Sequence, residues 1–373
     1  MADVVTRTDA ARTVSADAPA HAPAPVTRPM PDAGPARDAA RRTSGPFTSR
    51  RSRTRFTILG VVLAAAALAL AAGYLLLDNP GRPGTTGHLL VMQRRATSLA
   101  VIAVVALCQG LATVAFHTVT GNRIVTPAIL GFEALYVTVQ TGAVYALGVA
   151  GIVALDGVPQ LLLQIGIMVA LAVGLFGWLL SGRFASLHVM LLIGIVLGTG
   201  LRSVSSFMQR LLTPSEFDVL TARMFGSVSN ADVSYLPVVV PLALLAGGLL
   251  LARSRRLDVL ALGPAVATGL GVEQRRETRI VLTLVAVLVA VSTALVGPMT
   301  FLGFLAATLA YQVAGTFSHR HVMPVAVLTA FVVLCGAYVT LKHVFYAQGA
   351  VSIVVELVGG TVFLVVLLRK GRL

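Results

Sequence analysis

The chain has 373 residues, of which 56% are hydrophobic and only 12% are charged, and its mean hydropathy is +0.86. Soluble domains carry roughly 25% charged residues, so this composition excludes a soluble globular protein and predicts a polytopic membrane protein. The net charge of +14 does not indicate nucleic-acid binding, because ten arginines fall within the first 55 residues. That placement favours membrane topology and attraction to anionic lipid instead.

Residues 1–55 are rich in Ala, Pro, Arg, Asp and Thr, and Phe47 is their only aromatic residue. Such a segment buries too little apolar surface to offset the entropy of ordering, which predicts a disordered cytoplasmic tail. The arginines from Arg50 to Arg55 directly precede the first apolar run and are expected to keep the N terminus inside. Residues 56–373 form the predicted transmembrane domain.

Apolar runs follow one another through residues 56–373. A helix needs about 20 apolar residues to cross the hydrocarbon core of a membrane. The ten predicted spans are residues 56–77, 97–118, 127–150, 160–180, 187–212, 233–252, 280–296, 300–316, 322–343 and 351–368. The predicted fold class is therefore an all-α polytopic membrane protein with about ten transmembrane helices.

Basic residues alternate between the connections of these spans. Since Lys and Arg near span ends are retained in the cytoplasm, the pattern predicts that both termini lie inside. The exception is the predicted outside loop 78–96, which contains Arg82, Arg94 and Arg95. Snorkelling at the membrane interface and an acidic extracellular partner are both open explanations.

A second outside segment, residues 213–232, predicts a short helix over 214–225, with Thr213 as N-cap and Pro214 in the first turn.

The stretch 253–279 is the longest polar interruption of the apolar chain. Six arginines lie near its two ends, together with Asp258 and Glu273, and its middle is mildly apolar with glycine breaks. Residues 259–272 predict two short helices with a kink between them. Both an ordinary solvated inside loop and a docking surface for a cytoplasmic partner fit this stretch.

Polar side chains inside the spans are expensive in hydrocarbon and must face protein, water or a partner. Glu133 and Glu356 are the predicted intramembrane acids, and Arg202 is a candidate partner for one of them. Ser205, Ser206 and Gln209 lie around Arg202 in the fifth span. Such uncharged groups often serve as hydrogen-bonding contacts between helices.

Sequence motifs for catalysis are missing from the chain. There is no GxxxxGK[ST], HExxH, GxSxG or CxxC pattern. The chain therefore has no P-loop with which to hydrolyse ATP, and a transport function needs a partner or an ion gradient as its energy source.

Several motifs, and their order along the chain, resemble those of the iron-chelate uptake permeases. These are the membrane subunits of type II ABC importers, which include the cobalamin importer. They are NRIVTPAILG at 122–131, LG at 262–263 with GLGV at 269–272, GPMTFLGF at 297–304, and Gly359-Gly360 followed by Phe363. Residues 132–141 and 206–216 look similar to the subgroup that carries catecholate siderophores such as petrobactin or anguibactin. The chain departs from the family pattern at Pro264, where an acid is usual.

This resemblance implies a type II importer permease fold and a role for the stretch 253–279. The middle of that stretch would form paired coupling helices seated in a groove of a cytoplasmic ATP-binding subunit. The implied ATPase-coupling residues are Val259, Leu260, Leu262, Gly263, Gly269, Leu270, Gly271 and Val272. Closure of two ATPases would then move the spans between two access states.

The resemblance also implies two further sets of residues. Arg94, Arg95 and Lys342 would dock an extracellular lipid-anchored or periplasmic siderophore-binding protein. Arg202, Ser205, Ser206 and Gln209 would line a translocation pathway formed with a second permease subunit, in a homodimer or a heterodimer. No cofactor is expected in this chain, since ATP would be bound by the partner, and no metal site, since the iron arrives chelated.

Three functions stay open from the sequence. The first is the plasma-membrane permease subunit of an iron–siderophore ABC importer, without an ATPase site of its own. The second is a proton-driven secondary transporter with Glu133 or Glu356 as the relay. The third is a membrane assembly subunit that does not transport. The glycine-containing inside loop favours the first, and membrane lipid is the expected surrounding in every case.

Overall fold

The computed structural model describes residues 45–47, 49–77, 84–154, 157–181, 187–224, 227–228, 231–343 and 351–370. Most of the predicted tail, 1–55, lies outside these residues. The α-helices of the described part are α1 Arg50–Leu76, α2 Thr86–Thr120, α3 Phe132–Ala154, α4 Val158–Ser181, α5 Leu187–Gln209, α6 Pro214–Met224, α7 Leu236–Ala252, α8 Ser254–Leu260, α9 Pro264–Gly269, α10 Gln274–Val296, α11 Leu302–Ala314, α12 His319–His343 and α13 Val351–Lys370. Short 3-10 turns at Pro127–Leu130 and Val233–Tyr235 precede α3 and α7.

Each of the ten predicted spans corresponds to one of these helices, namely α1 to α5, α7 and α10 to α13. Within the described residues, seven helices are long and apolar enough to cross a membrane, and α11 and part of α13 form shorter apolar helices. The predicted all-α membrane fold is therefore confirmed. The cytoplasmic location of both termini stays a prediction.

Helix α2 lies at the centre of the bundle, where it packs against α1, α7, α10, α11 and α12. Its residues from Val104 onwards are almost all buried, including the fully buried Leu111 and Phe116. Burial on all sides explains why this helix is apolar around its whole circumference rather than along one stripe. Helices α3 and α4 pack against α10 instead, and α5 packs against α3.

The closest approach of α2 to α12 is at Gly110. A Cβ atom added there would lie 2.9 Å from the Ala326 carbonyl carbon and 2.9 Å from the Val327 nitrogen. Both atoms belong to the backbone and cannot rotate away. Small residues at helix–helix contacts allow this kind of close backbone packing in membranes.

We expect Gly110→Ala to destabilise the protein because it forces α2 and α12 apart, at a cost of about 1–3 kcal/mol. Thermal unfolding of the detergent-solubilised protein measures this effect. Gly248→Ala in α7 is the matched control, since nothing lies within 4 Å of the added methyl group. An unfolding temperature for Gly110→Ala equal to that of Gly248→Ala would contradict the close contact.

The predicted short helix at 214–225 is confirmed as α6 Pro214–Met224. The Thr213 hydroxyl accepts from the Glu216 backbone nitrogen at 3.4 Å, and Glu216 Oε2 accepts from the Thr213 backbone nitrogen at 2.9 Å. This reciprocal pair is a capping box, in which each side chain satisfies a free donor of the first turn. The hydrogen bonds from the Thr213 backbone and hydroxyl hold the pKa of Glu216 below its usual value.

Helix α2 begins at Thr86, inside the segment that was predicted to be a loop through residue 96. The Thr85 hydroxyl caps this end by accepting from the His88 backbone nitrogen at 3.3 Å. Arg94 and Arg95 therefore lie on a helix and not on a loop. Hydropathy did not indicate this extension because only four apolar residues, 89–92, stand between polar residues there.

Candidate functional site

The stretch between α7 and α10 forms two short helices, as predicted, but the first of them lies mostly before the predicted range 259–272. Helix α8 begins at Ser254 and helix α9 ends at Gly269. Gly263 joins them with a φ of 94°, and Gly271 follows α9 with a φ of 77°. These are positive-φ conformations that glycine adopts without steric penalty, so the kink between the helices depends on Gly263 and the exit from α9 on Gly271.

The two short helices present one apolar face outward and one inward. Leu262, Val266 and Leu270 are 60%, 47% and 60% exposed. Leu257 and Ala267 are fully buried, and Leu260 is 8% exposed. The outward residues, which we call the outer face of the loop, expose three apolar side chains on a polar connection.

The predicted coupling residues divide between these two faces. Leu262 and Leu270 belong to the outer face, whereas Leu260 is buried and Val259 and Val272 pack against the core. Val266 was missed by the sequence interpretation. Its spacing from Leu270 could have found it, because residues four apart on a helix share a face and Leu270 is the C-cap of α9.

An ion-pair cluster fixes the start of α8 to α10. The Arg253 guanidinium donates to Glu277 Oε2 at 2.6 Å, and Arg256 pairs with Glu277 Oε1. The Glu277 side chain is only 6% exposed. A buried carboxylate needs such partners, so the pairs hold the loop against the membrane domain. The sequence interpretation had not singled out Glu277.

The structure places the three predicted docking residues at the same end of the bundle, in different surroundings. Arg94 and Lys342 are exposed. Arg95 is 5% exposed, and its Nη1 donates to the carbonyl oxygens of Tyr74 at 2.9 Å and Leu77 at 2.5 Å. Arg95 therefore caps the C-terminal end of α1, where free carbonyls need donors. Its docking role stays a prediction, as do those of Arg94 and Lys342.

The two intramembrane acids lie in one polar cluster. Glu133 Oε2 accepts from the Thr300 hydroxyl at 2.9 Å and lies 3.8 Å from Nη2 of Arg202. Glu356 lies on α13, which packs against the turn that carries Thr300, because a Cβ atom added at Gly359 would lie 2.5 Å from the Phe301 Cβ. The predicted pairing of Arg202 with a glutamate is therefore confirmed. The cluster joins α3, α5 and α13 to the turn before α11.

The four predicted pathway residues point in two directions. The Ser205 hydroxyl lies 2.9 Å from Thr138 Oγ1, and Gln209 Nε2 donates to Thr141 Oγ1 at 3.2 Å, so both residues connect α5 to α3. Ser206 and Arg202 are exposed. On the same helix the apolar side chains of Leu192 and Phe207 are 62% and 64% exposed. The role of all four residues in a pathway stays a prediction.

Residues 55–369 match the model of the FecCD transport family. The chain belongs to this family. It is 44% identical over 332 residues, 89% of its own length and 94% of the relative, to the petrobactin import system permease protein FatC of Bacillus anthracis. It is 34% identical, over 75% of its length and 89% of the relative, to the petrobactin import system permease protein YclO of Bacillus subtilis (strain 168).

A solved structure of a metal-chelate type ABC transporter in an inward-facing conformation has the same fold as this FecCD-family chain. The TM-score is 0.69, and the match covers 84% of this chain and 99% of that one at 22% identity. The family and the apolar helices make the chain a multi-pass plasma-membrane protein. Its relatives are transport permease subunits, which work with ATP-binding and substrate-binding proteins.

Proposed function

We propose that this chain is the membrane-spanning subunit of an ABC importer that carries an iron(III)–siderophore complex of the petrobactin type across the plasma membrane. The observation that carries the substrate class is the 44% identity to a petrobactin import permease across 94% of that relative. The expected substrate is a catecholate-type chelate. The iron enters already chelated, so this subunit needs no metal site of its own.

The energy for import comes from a separate ATP-binding subunit, and the ATP site belongs to that subunit. Its groove receives the outer face of the loop, where Leu262, Val266 and Leu270 are exposed on and beside the two short helices. Burying these side chains on association is favourable by the hydrophobic effect. Closure of the ATPase pair then moves the loop and the helices attached to it as rigid bodies.

A second permease subunit completes the pathway. The exposed apolar residues of α5, including Leu192 and Phe207, face this partner and lipid. Arg202 and Ser206, which are exposed on the same helix, line the space between the two subunits. At the outer end, the exposed Arg94 and Lys342 attract an acidic siderophore-binding protein and chiefly accelerate its encounter.

Uptake of radioactive iron by cells without other petrobactin permeases tests the substrate assignment. The cells express this chain with its ATPase, partner permease and binding protein, and receive the iron as petrobactin, as citrate or as a hydroxamate chelate. Uptake from petrobactin is expected to exceed uptake from the other two chelates. Equal uptake from all three, or none from petrobactin, would overturn the assignment.

The alternative proton-driven carrier is tested at the intramembrane acids. Glu133→Gln and Glu356→Gln remove the ionisable groups but keep hydrogen-bonding atoms for Thr300. In an ABC permease we expect uptake to fall by at most about threefold, since a hydrogen bond between membrane helices contributes roughly 0.6 kcal/mol on average. Loss of all uptake in either variant, together with uptake that collapses with the proton gradient, would favour the carrier.

A further inference from the structure

A chain of three side chains connects α8 to the ends of two central helices. Asp258 Oδ1 accepts from the His319 backbone nitrogen at 2.8 Å and contacts His319 Nδ1 at 2.6 Å. On the other side of the ring, His319 Nε2 lies 2.5 Å from the Thr118 hydroxyl. Asp258 belongs to α8, His319 is the first residue of α12, and Thr118 lies in the last turn of α2.

Hydrogen bonds connect α8 to the start of α12, and the start of α12 to the end of α2. Asp258 holds two donors of His319 on a single carboxylate oxygen, so it fixes both the start of α12 and the orientation of the imidazole ring. A carboxylate at a helix N terminus also interacts favourably with the free backbone N–H groups and the helix dipole. The Thr118 hydroxyl lies 3.0 Å from the Val114 carbonyl oxygen as well, so the imidazole is connected to the α2 backbone.

Burial makes this connection rigid. The His319 side chain is 6% exposed, and that of Asp258 is 35% exposed. Hydrogen bonds shielded from water are stronger than those at the surface, and a broken one leaves a buried polar group without a partner. Breaking these hydrogen bonds therefore costs free energy, and a displacement of α8 is expected to carry His319 and Thr118 with it.

The two helices reached in this way form the central packing of the bundle. Helix α2 is buried among its neighbours, and its backbone contacts that of α12 so closely at Gly110 that no side chain fits. A motion delivered to the ends of α2 and α12 therefore displaces the core of the domain and not a peripheral helix.

We propose that Asp258, His319 and Thr118 are positioning residues that transmit the movement of the short helices α8 and α9 to α2 and α12. This inference rests on the proposed function, in which the outer face of the loop contacts an ATPase. The Arg253–Glu277 and Arg256–Glu277 pairs attach α8 to α10 separately, so the loop stays folded when the Asp258 link is removed.

The test compares ATP hydrolysis with transport in the same proteoliposomes, which contain the complete importer and its binding protein. The variants are Asp258→Ala, His319→Gln and Thr118→Val. We expect transport to fall about tenfold, within the range of coupling changes reported for residues between two sites, while hydrolysis stays within about twofold. The number of ATP molecules consumed per chelate transported therefore rises.

Further variants separate transmission from folding. Arg255→Gln, at an exposed position of the same helix, is the matched control and should leave the ratio unchanged. Asp258→Asn keeps one acceptor oxygen and should recover part of the transport. The double variant Asp258→Ala/His319→Gln should be no worse than either single variant. Thr118→Val preserves side-chain volume, so it carries the test if Asp258→Ala fails to fold.

The outcomes distinguish this inference from the proposed function. A raised ATP-to-chelate ratio in the three variants supports the link. Transport and hydrolysis that decline in parallel, or a ratio equal to that of the wild type, would overturn it and leave the proposed function intact. A wild-type protein that shows no ATP-driven uptake in the same vesicles would overturn the proposed function and this inference together.

Discussion

Replacing Leu262 and Leu270 together by aspartate is expected to reduce chelate uptake at least tenfold while the protein stays folded. Both side chains are 60% exposed in the structure of the single subunit, so a charge there meets water and not the core. In the assembled importer the same positions would be desolvated against the ATPase. The loss comes mainly from the two carboxylates, because a charge buried without a partner costs several kcal/mol.

Co-purification of the ATP-binding subunit and uptake in cells measure this loss. The conservative variant Leu262→Met/Leu270→Met keeps volume and hydrophobicity, and it should retain most of the uptake. A third variant, Leu260→Asp, is expected to unfold the loop because Leu260 is buried. Wild-type ATPase binding by the double aspartate variant would show that the outer face of the loop is not the contact surface.

Replacing Arg95 by alanine is expected to lower the stability of the protein by about 3 kcal/mol, since hydrogen bonds to a charged group contribute about 1.5–3 kcal/mol each. The guanidinium is 5% exposed and donates to the last carbonyl groups of α1. It also lies 5.6 Å from the centre of the Tyr74 ring, within the range of a cation–π contact. Alanine removes the donors and leaves the carbonyls of Tyr74 and Leu77 without them.

Thermal unfolding in detergent measures the loss, and Arg94→Ala is the matched control. Arg94 precedes Arg95 directly but is exposed, so its removal should change stability by less than about 0.5 kcal/mol. Arg95→Lys should be intermediate, because an ammonium group cannot reproduce the planar set of guanidinium donors. Equal unfolding temperatures for Arg94→Ala and Arg95→Ala would contradict the capping role.

The burial of Arg95 also changes how its docking role has to be tested. If Arg95 and Lys342 only docked the binding protein, Arg95→Glu with Lys342→Glu would weaken its capture and leave the fold intact. In the structure a carboxylate at position 95 would face the carbonyls of Tyr74 and Leu77, so we now expect Arg95→Glu to destabilise the fold. Arg94→Glu/Lys342→Glu is the better probe of docking, because both side chains are exposed.

The sequence by itself predicted the order of the long helices, because each of its ten apolar runs corresponds to a helix. Apolar length is a property of consecutive residues, and a helix in hydrocarbon satisfies its backbone within its own segment. For the same reason, local signals predicted the capping Thr213 before α6 and the glycine kink between α8 and α9. The sequence also offered Arg202 as a candidate partner for a glutamate, since a charged residue within a membrane span usually pairs with an opposite charge.

Tertiary structure alone decided which side of each local element faces inward. Leu260 and Leu262 are two residues apart and similar in chemistry, yet one is buried and the other is exposed, because only packing against the bundle distinguishes them. Arg95 became a buried cap because the end of α1 lies beside α2. Asp258 and His319 are 61 residues apart in the chain, and no local pattern records that the fold brings them into contact.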